Sequence, residues 1–203
     1  MEYLVNMTSY VPDGTSEGSV QDIRTREAAR SKQLATQGHL LRLWRPPLHP
    51  GEWRTLGLFA AGDDVELEEV LASMPLRVWR TDEVTPLSPH PNDPARRTER
   101  PGAAAPGDSE FLTTITVADP GDAAPETVDA TQREGDRERE LVRQGYLERL
   151  WTLPGQSRTL GLWQAPDSAG MDAILASLPL SSRMSVQTTP LTRHPSDPAL
   201  TSG

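Results

Sequence analysis

An α+β fold made of one module written twice is predicted by three observations. The first is a repeat. Gln37-Gly38-His39-Leu40-Leu41-Arg42-Leu43-Trp44 returns as Gln144-Gly145-Tyr146-Leu147-Glu148-Arg149-Leu150-Trp151, and Thr55-Leu56-Gly57-Leu58-Phe59 returns as Thr159-Leu160-Gly161-Leu162-Trp163. Leu71-Ala72-Ser73-Met74-Pro75-Leu76 and Thr85-Pro86-Leu87-Ser88-Pro89-His90-Pro91 also recur, in the same order, as Leu175-Ala176-Ser177-Leu178-Pro179-Leu180 and Thr189-Pro190-Leu191-Thr192-Arg193-His194-Pro195. The second is the period of roughly a hundred residues, too long for a solenoid unit and right for a duplicated domain. The third is that hydrophobic periodicity within each copy alternates between strand-like and helix-like runs.

In the first copy, Leu4 to Tyr10 reads as a strand closed by the turn signal Pro12-Asp13-Gly14. Ser16 or Ser19 caps the helix that follows, with Val20, Ile23 and Leu34 in helical phase and Gly38 at its C-terminal end. Leu40 to Trp44 and Arg54 to Ala60 are strands flanking a Pro-rich hairpin. Asp63-Asp64 opens a second helix that Pro75 stops, and Val78 to Leu87 is the last strand. This β-α-β-β-α-β order is the ferredoxin-like arrangement. Phe111 to Leu191 repeats it, giving modules over residues 1–94 and 110–203 joined by a polar Pro/Gly/Ala linker over 95–109. A four-stranded sheet with both helices on one face leaves the other face to be covered. Two copies on one chain are therefore expected to pack as an intrachain α/β-barrel pseudo-dimer, with a ligand pocket between modules. Further assembly into a homo-oligomer through sheet edges or tails is also expected.

Composition narrows the function classes. A net charge of −9 and no basic run with interleaved aromatics argue against nucleic acid. The absence of cysteine removes disulfides, thiolate catalysis and zinc–sulfur sites. No signal peptide is recognised at Met1 to Met7, and no apolar run approaches the roughly 18 residues that span a bilayer, so a cytoplasmic protein acting on a small molecule is expected. No His or carboxylate cluster has metal-ligand spacing, and neither a phosphate loop nor a nucleophile elbow is present, so neither metal nor cofactor is expected.

The candidate chemistry lies in three motifs. Glu27 falls between Ile23 and Leu34 on the apolar stripe of the first helix, and Glu134 is placed alike between Ala130 and Leu141. An inward carboxylate has its pKa raised by desolvation and can act as a general base. The competing reading makes Glu27–Arg30 and Glu134–Arg137 exposed ion pairs. On the next strand, alternation puts Arg42 and Trp44 on one face and Leu43 and Arg45 on the other. An Arg beside a Trp can hold a ligand carboxylate and cover its carbon skeleton, as Arg149 and Trp151 could in the second copy, or the Trp can simply be core. His39 is a further binding candidate. His90 and His194 share a His-Pro-x-Asp-Pro context, either as solvated tail residues or as part of a segment that closes a pocket.

Together these motifs carry a resemblance. A helix Glu, then Gly-x-x-x-x-Leu-Trp-Arg, then Leu-Pro-Leu, then a strand ending in Pro-Leu-x-x-His-Pro are found as Glu27, Gly38, Leu43-Trp44-Arg45, Met74-Pro75-Leu76 and Pro86-Leu87-Ser88-Pro89-His90-Pro91. The second copy has Glu134, Gly145, Leu150-Trp151, Leu178-Pro179-Leu180 and His194-Pro195. Each half so resembles the muconolactone delta-isomerase family. The resemblance implies a ferredoxin-like enzyme that shifts a double bond in an unsaturated lactone by moving a proton, without a cofactor. It implies Glu27 or Glu134 as proton carrier, but the family's Lys three residues earlier is replaced by Arg24 and Thr131, and the Arg after Trp survives only as Arg45, with Thr152 in the second copy. The segment after Leu-Pro-Leu also departs, as Arg77-Val78-Trp79-Arg80-Thr81 and Ser181-Ser182-Arg183-Met184-Ser185.

The expected function is a cofactor-independent isomerase or cyclase working by enolisation next to a carbonyl or lactone, on an unsaturated lactone or a polyketide-like substrate. Glu27 is the base, Arg24, Arg42 and Arg45 stabilise the anion, and Trp44 forms a wall. Two alternatives stand beside it: a non-catalytic small-molecule-binding or scaffold protein, and a cofactor-free oxygenase of the dimeric-barrel type.

Overall fold

A computed structural model describes residues 1–96, 109–118, 125–155 and 158–200 of the 203-residue chain. Most of the sequence-predicted linker lies outside the described residues. The elements of the first copy are β1 (Glu2–Ser9), α1 (Glu17–Thr36), β2 (Leu40–Arg45), β3 (Trp53–Ala60), α2 (Asp64–Ala72) and β4 (Arg80–Pro89). Those of the second are β5 (Ser109–Val117), α3 (Pro125–Arg143), β6 (Leu147–Thr152), β7 (Arg158–Ala165), α4 (Ser168–Ala176) and β8 (Met184–Arg193). The α+β, twice-written β-α-β-β-α-β fold is as expected.

The chain divides into two compact units: Met1–Leu87 with Thr192–Gly203, and Ser88–Leu191. This departs from the expected boundaries, because each tail after the last strand packs on a β2-type strand far away in sequence. In unit 1 the strand order is β4-β1-β3-β2, all antiparallel, and Thr192 and Arg193 extend it by pairing with Arg45 and Trp44. In unit 2 the order is β8-β5-β7-β6, extended by Ser88 and Pro89 pairing with Thr152 and Trp151.

Local chemistry sets the helix ends. Ser16 is the N-cap of α1, its side chain accepting from Ser19 N at 3.2 Å. Gly38 follows the helix at φ +80°, a left-handed conformation that favours glycine. Asp63 caps α2 by accepting from Val65 N and Glu66 N. Pro75 then opens a tight 3-10 turn over Pro75–Trp79, so β4 begins at Arg80 rather than at Val78 as the sequence suggested. That displacement has a chemical consequence, since it brings Arg80 into the interior.

The core of unit 1 joins Tyr3, Val5, Met7, Leu40, Leu43 and Phe59 from the strands to Leu34 of α1 and Leu67, Val70 and Leu71 of α2. Phe111, Ile115, Leu147, Trp163, Leu141 and Met171 do the same in unit 2. The repeated Gly in Thr-Leu-Gly-Leu-Phe/Trp is explained by this packing. A Cβ at Gly57 would stand 2.4 Å from Phe59 Cε2, and one at Gly161 2.3 Å from Trp163 Nε1. The aromatic two residues later folds back over the glycine on the same sheet face.

Candidate active site

The inward face of α1 runs Ile23, Glu27, Ser31, Leu34, one residue per turn. Ile23 and Leu34 are apolar and buried. Glu27 and Ser31 therefore present polar atoms to an otherwise hydrophobic layer, and there the packing opens into a cavity of about 550 Å³ within unit 1. Pockets that take small molecules span roughly 300–1,000 Å³. Helix α1 contributes Arg24, Glu27, Ala28 and Ser31; the strands contribute Met7, Ser9, Leu43, Arg45, Trp53 and Thr55; the tail contributes His194, Pro195 and Ser196. The cavity therefore lies between α1 and the sheet of one unit, where the sequence reading had expected a pocket between modules.

Both oxygens of Glu27 are held. Oε2 accepts from Leu76 N at 2.8 Å and Oε1 from Arg80 Nη1 at 3.2 Å. Burial raises the pKa of this carboxyl, the Leu76 hydrogen bond and Arg80 oppose the rise, and Asp82 adds to it. The exposed ion pair with Arg30 that the sequence allowed does not form, because Arg30 donates to Ser73 Oγ and Gln33 Oε1. Arg24 stacks on Trp53 at 3.8 Å from the ring centroid, and burial and then the neighbouring Arg45 hold its guanidinium below the ordinary value. Two cations thus crowd one rim of the cavity, an arrangement that favours a bound anion.

His194 reaches the cavity on the tail. Ser196 N donates to its Nδ1 at 3.1 Å, so the neutral ring carries its proton on Nε2. Burial, then Arg45, lower its pKa to about 4, with Asp197 opposing. Asp197 is the anchor of this tail. Its Oδ1 accepts from Leu43 N at 3.1 Å, and its carboxylate is gripped by Arg42 at 3.3 Å.

Arg42, Trp44, Arg149 and Trp151 fall outside the cavity lining. Arg42 lies over Trp44 at 4.9 Å from the ring, and Arg149 over Trp151 at 4.7 Å, as strand alternation predicted, but each guanidinium is engaged by a tail aspartate, Asp197 or Asp93. Both tryptophans are buried core. Their assignment to substrate is corrected on this ground: their polar and ring surfaces are already occupied by the protein. His39 is likewise tied, through Nδ1 to Ala60 O at 3.0 Å, away from the cavity. His90 occupies the turn in unit 2 equivalent to that of His194, with Asn92 N on its Nδ1 and its pKa lowered by burial.

Unit 2 repeats the acid but not its surroundings. Glu134 is buried and accepts from Leu180 N at 2.9 Å, and burial raises its pKa. The position of Arg24 is Thr131, that of Arg45 is Thr152, and that of Arg80 is Met184. Where unit 1 has Ser31 and Ser196, unit 2 has Glu138 and Asn92 hydrogen-bonded to each other at 2.7 Å. Glu27, Arg24 and Arg45, which the sequence reading grouped with Arg42 and Trp44, line one cavity together with His194, which it had left as a tail candidate of the second copy; Arg80, Asp82, Ser31 and Trp53 were not among its candidates. The signal for Arg80 and Asp82 was the contrast between copies, with Met184 and Val186 at the equivalent strand positions. Among the described residues no group of three His, Cys, Asp or Glu side chains is placed to hold a metal ion. Likewise no helix there is long and apolar enough to cross a membrane.

A duplicated ferredoxin-like chain with an inward acid facing a small-molecule cavity belongs to the class of small ferredoxin-like enzymes. A family model described as muconolactone delta-isomerase matches residues 1–93 and 109–197. The chain belongs to this family of isomerases. The muconolactone delta-isomerase of Cupriavidus pinatubonensis is 34% identical over 92 residues, covering 45% of this chain and 97% of the relative. Muconolactone delta-isomerase 1 of Acinetobacter lwoffii is 32% identical over 92 residues, covering 45% and 93%. Each relative thus spans one module. Among solved structures, a heme-binding protein from Thermus thermophilus matches with a TM-score of 0.60 at 13% identity, over 97% of this chain and 93% of that one, a likeness of fold alone.

Proposed function

We propose that this chain is a lactone isomerase that moves a double bond by a proton shift, with Glu27 as the proton carrier. The observation that carries this reading is a half-buried carboxyl, both of whose oxygens are fixed, facing a cavity that also holds two crowded arginines. Family membership supports the lactone, since the relatives are named muconolactone delta-isomerases.

The chemistry follows from these groups. The Glu27 carboxylate takes a proton from a carbon conjugated to the lactone carbonyl, so a C–H bond breaks, an O–H bond forms, and the electron pair enters the conjugated system. Arg24 and Arg45 face the resulting negative charge and lower its energy. The protonated acid then returns its proton to a different carbon of the same system, which relocates the double bond with no change in oxidation state. A carboxyl whose pKa is raised by burial suits both halves of this cycle. The cavity volume leaves room for a substrate larger than a simple lactone, such as a polyketide-like one. Unit 2, without the three arginines, is read as structural support and not as a second reaction centre.

Glu27→Gln tests the proposal. Incubated with muconolactone in D₂O and followed by ¹H NMR, the variant should lose product formation and deuterium incorporation by about 10²–10⁴-fold, the usual worth of a general base. Lactone affinity by calorimetry should be retained. Full turnover in the Gln variant would end the assignment.

A further inference from the structure

The buried ion pair beside the proton carrier is present in one copy of the module and replaced by apolar side chains in the other. Arg80 and Asp82 point to the same side of β4, two residues apart, each with a side chain only 2% exposed. Arg80 Nη2 donates to Asp82 Oδ2 at 3.0 Å, and Nε lies 2.6 Å from Asp82 Oδ1, an ion contact outside hydrogen-bond angles. The remaining terminal nitrogen, Nη1, reaches Glu27 Oε1. The sulfur of Met74 packs against both terminal nitrogens, at 3.7 and 3.8 Å. On the far side Arg77 Nη1 grips Asp82 at 2.6 Å and Nη2 grips Glu68 at 2.7 Å, so the network runs Glu27–Arg80–Asp82–Arg77–Glu68.

Met184 and Val186 stand at the equivalent positions of β8. Unit 2 builds the equivalent strand, a shorter 3-10 turn before it (Ser181–Arg183) and the counterpart Leu180 N to Glu134 hydrogen bond, with Met184 and Val186 in place of the ion pair. Formation of the module thus does not require the pair. Burying two charges costs several kcal/mol before their attraction is counted, and well-packed apolar substitutes are often as stable or more so. What distinguishes unit 1 is that its acid shares a cavity with Arg24 and Arg45.

We infer that the Arg80–Asp82 pair is a positioning device for catalysis, which holds the Glu27 carboxylate toward the cavity through both halves of the proton shift. The inference rests on Glu27 being the proton carrier. A guanidinium suits this task because it stays protonated throughout, so its N–H fork is available whether Glu27 is ionised or neutral. Asp82 faces the Nε and Nη2 edge of that fork and fixes its plane, leaving Nη1 directed at Glu27. With Leu76 N on the other oxygen, the carboxyl cannot rotate away while it carries the proton. The other charged groups facing the cavity are Arg24, Arg45, Glu52, Arg54 and His194, and Glu52 is paired with Arg54 at 3.3 Å.

The test copies unit 2 into unit 1 with the double variant Arg80→Met/Asp82→Val in the full chain, beside Arg80→Lys and Glu27→Gln. Circular dichroism and thermal melting should find the double variant folded. Glutamate carboxyl carbons labelled with ¹³C then give the titration of Glu27 and Glu134 in one sample, Glu27 being assigned by its loss in Glu27→Gln. The Glu27 midpoint should move up in the double variant, because the lowering by Arg80 outweighs the raising by Asp82, while the Glu134 midpoint stays put. With muconolactone, kcat should fall at least about tenfold with KM little changed, the pattern of a displaced catalytic group, and Arg80→Lys should restore the midpoint more than it restores kcat. An unmoved Glu27 midpoint, or wild-type kcat in the double variant, overturns the inference. Full activity in Glu27→Gln sinks the proton-carrier reading itself, a separate result.

Discussion

Removing the carboxylate of Asp197 should open the cavity of unit 1 without replacing any cavity-lining residue. Asp197 is 1% exposed and has two duties: it accepts the buried amide of Leu43, and it pairs with Arg42, whose side chain is 16% exposed. In Asp197→Ala the Leu43 N–H loses its partner, which costs about 1–3 kcal/mol. Breaking a buried pair costs about 3–5 kcal/mol when the surviving charge stays buried. Arg42 can turn toward water, and the two costs overlap, so a loss of about 3 kcal/mol is expected. For a chain of this length that corresponds to a fall in Tm of roughly 6–12 °C. Function should suffer separately, because Asp197 anchors the tail that places His194, Pro195 and Ser196 at the cavity. KM for muconolactone should rise several-fold more than kcat falls, and hydrogen exchange at the Leu43 amide should lose its protection. Asp197→Asn keeps an acceptor for Leu43 and should cost about 1 kcal/mol, the worth of an ordinary hydrogen bond. The mirror variant Asp93→Ala removes the same contacts to Leu150 N and Arg149 in unit 2, and should lower stability without changing KM. A protected Leu43 amide and unchanged Tm in Asp197→Ala would refute the clamp.

Three other expectations concern pH and packing. His194 has a folded pKa of about 4 against an ordinary 6.5, so the folded state favours the neutral ring. Its stabilising contribution is present above pH 6.5 and is lost as the pH falls toward 4; His194→Gln should flatten the urea-denaturation profile in that window. Glu134 has the opposite sense: its pKa is raised by burial, so its contribution is present below the ordinary carboxyl range and lost as the pH rises through the raised value. Glu134→Gln, which keeps an acceptor for Leu180 N, should raise Tm at neutral pH and leave turnover intact. Gly161→Ala places a Cβ on the Trp163 ring and 2.9 Å from Thr113 Oγ1, breaking the 2.8 Å Trp163–Thr113 hydrogen bond. A loss of about 2 kcal/mol with a shifted tryptophan emission is expected, and a wild-type spectrum would refute the packing argument.

Much of this molecule was legible before any coordinates, because its determinants are local. The repeat, the capping Ser16 and Asp63, the stop at Pro75 and the phase of Ile23, Glu27 and Leu34 depend on residues within a turn or two of one another. Strand alternation placed Arg42 on Trp44 and sent Leu43 and Arg45 to the other side. From these the α+β class and the duplicated module followed, while the inward acid stood beside an exposed Glu27–Arg30 ion pair as one of two readings of the same helix. What sequence could not give was the partner each side chain takes from far along the chain. Arg42 and Arg149 looked free for a ligand, yet their carboxylates come from Asp197 and Asp93, which lie in the tails of the other copies of the repeat. Glu27 and Arg80 are brought together only because the 3-10 turn delays β4 to Arg80. Periodicity says which way a side chain points; it carries no information about which distant charge will be waiting there, and tertiary packing alone made that choice.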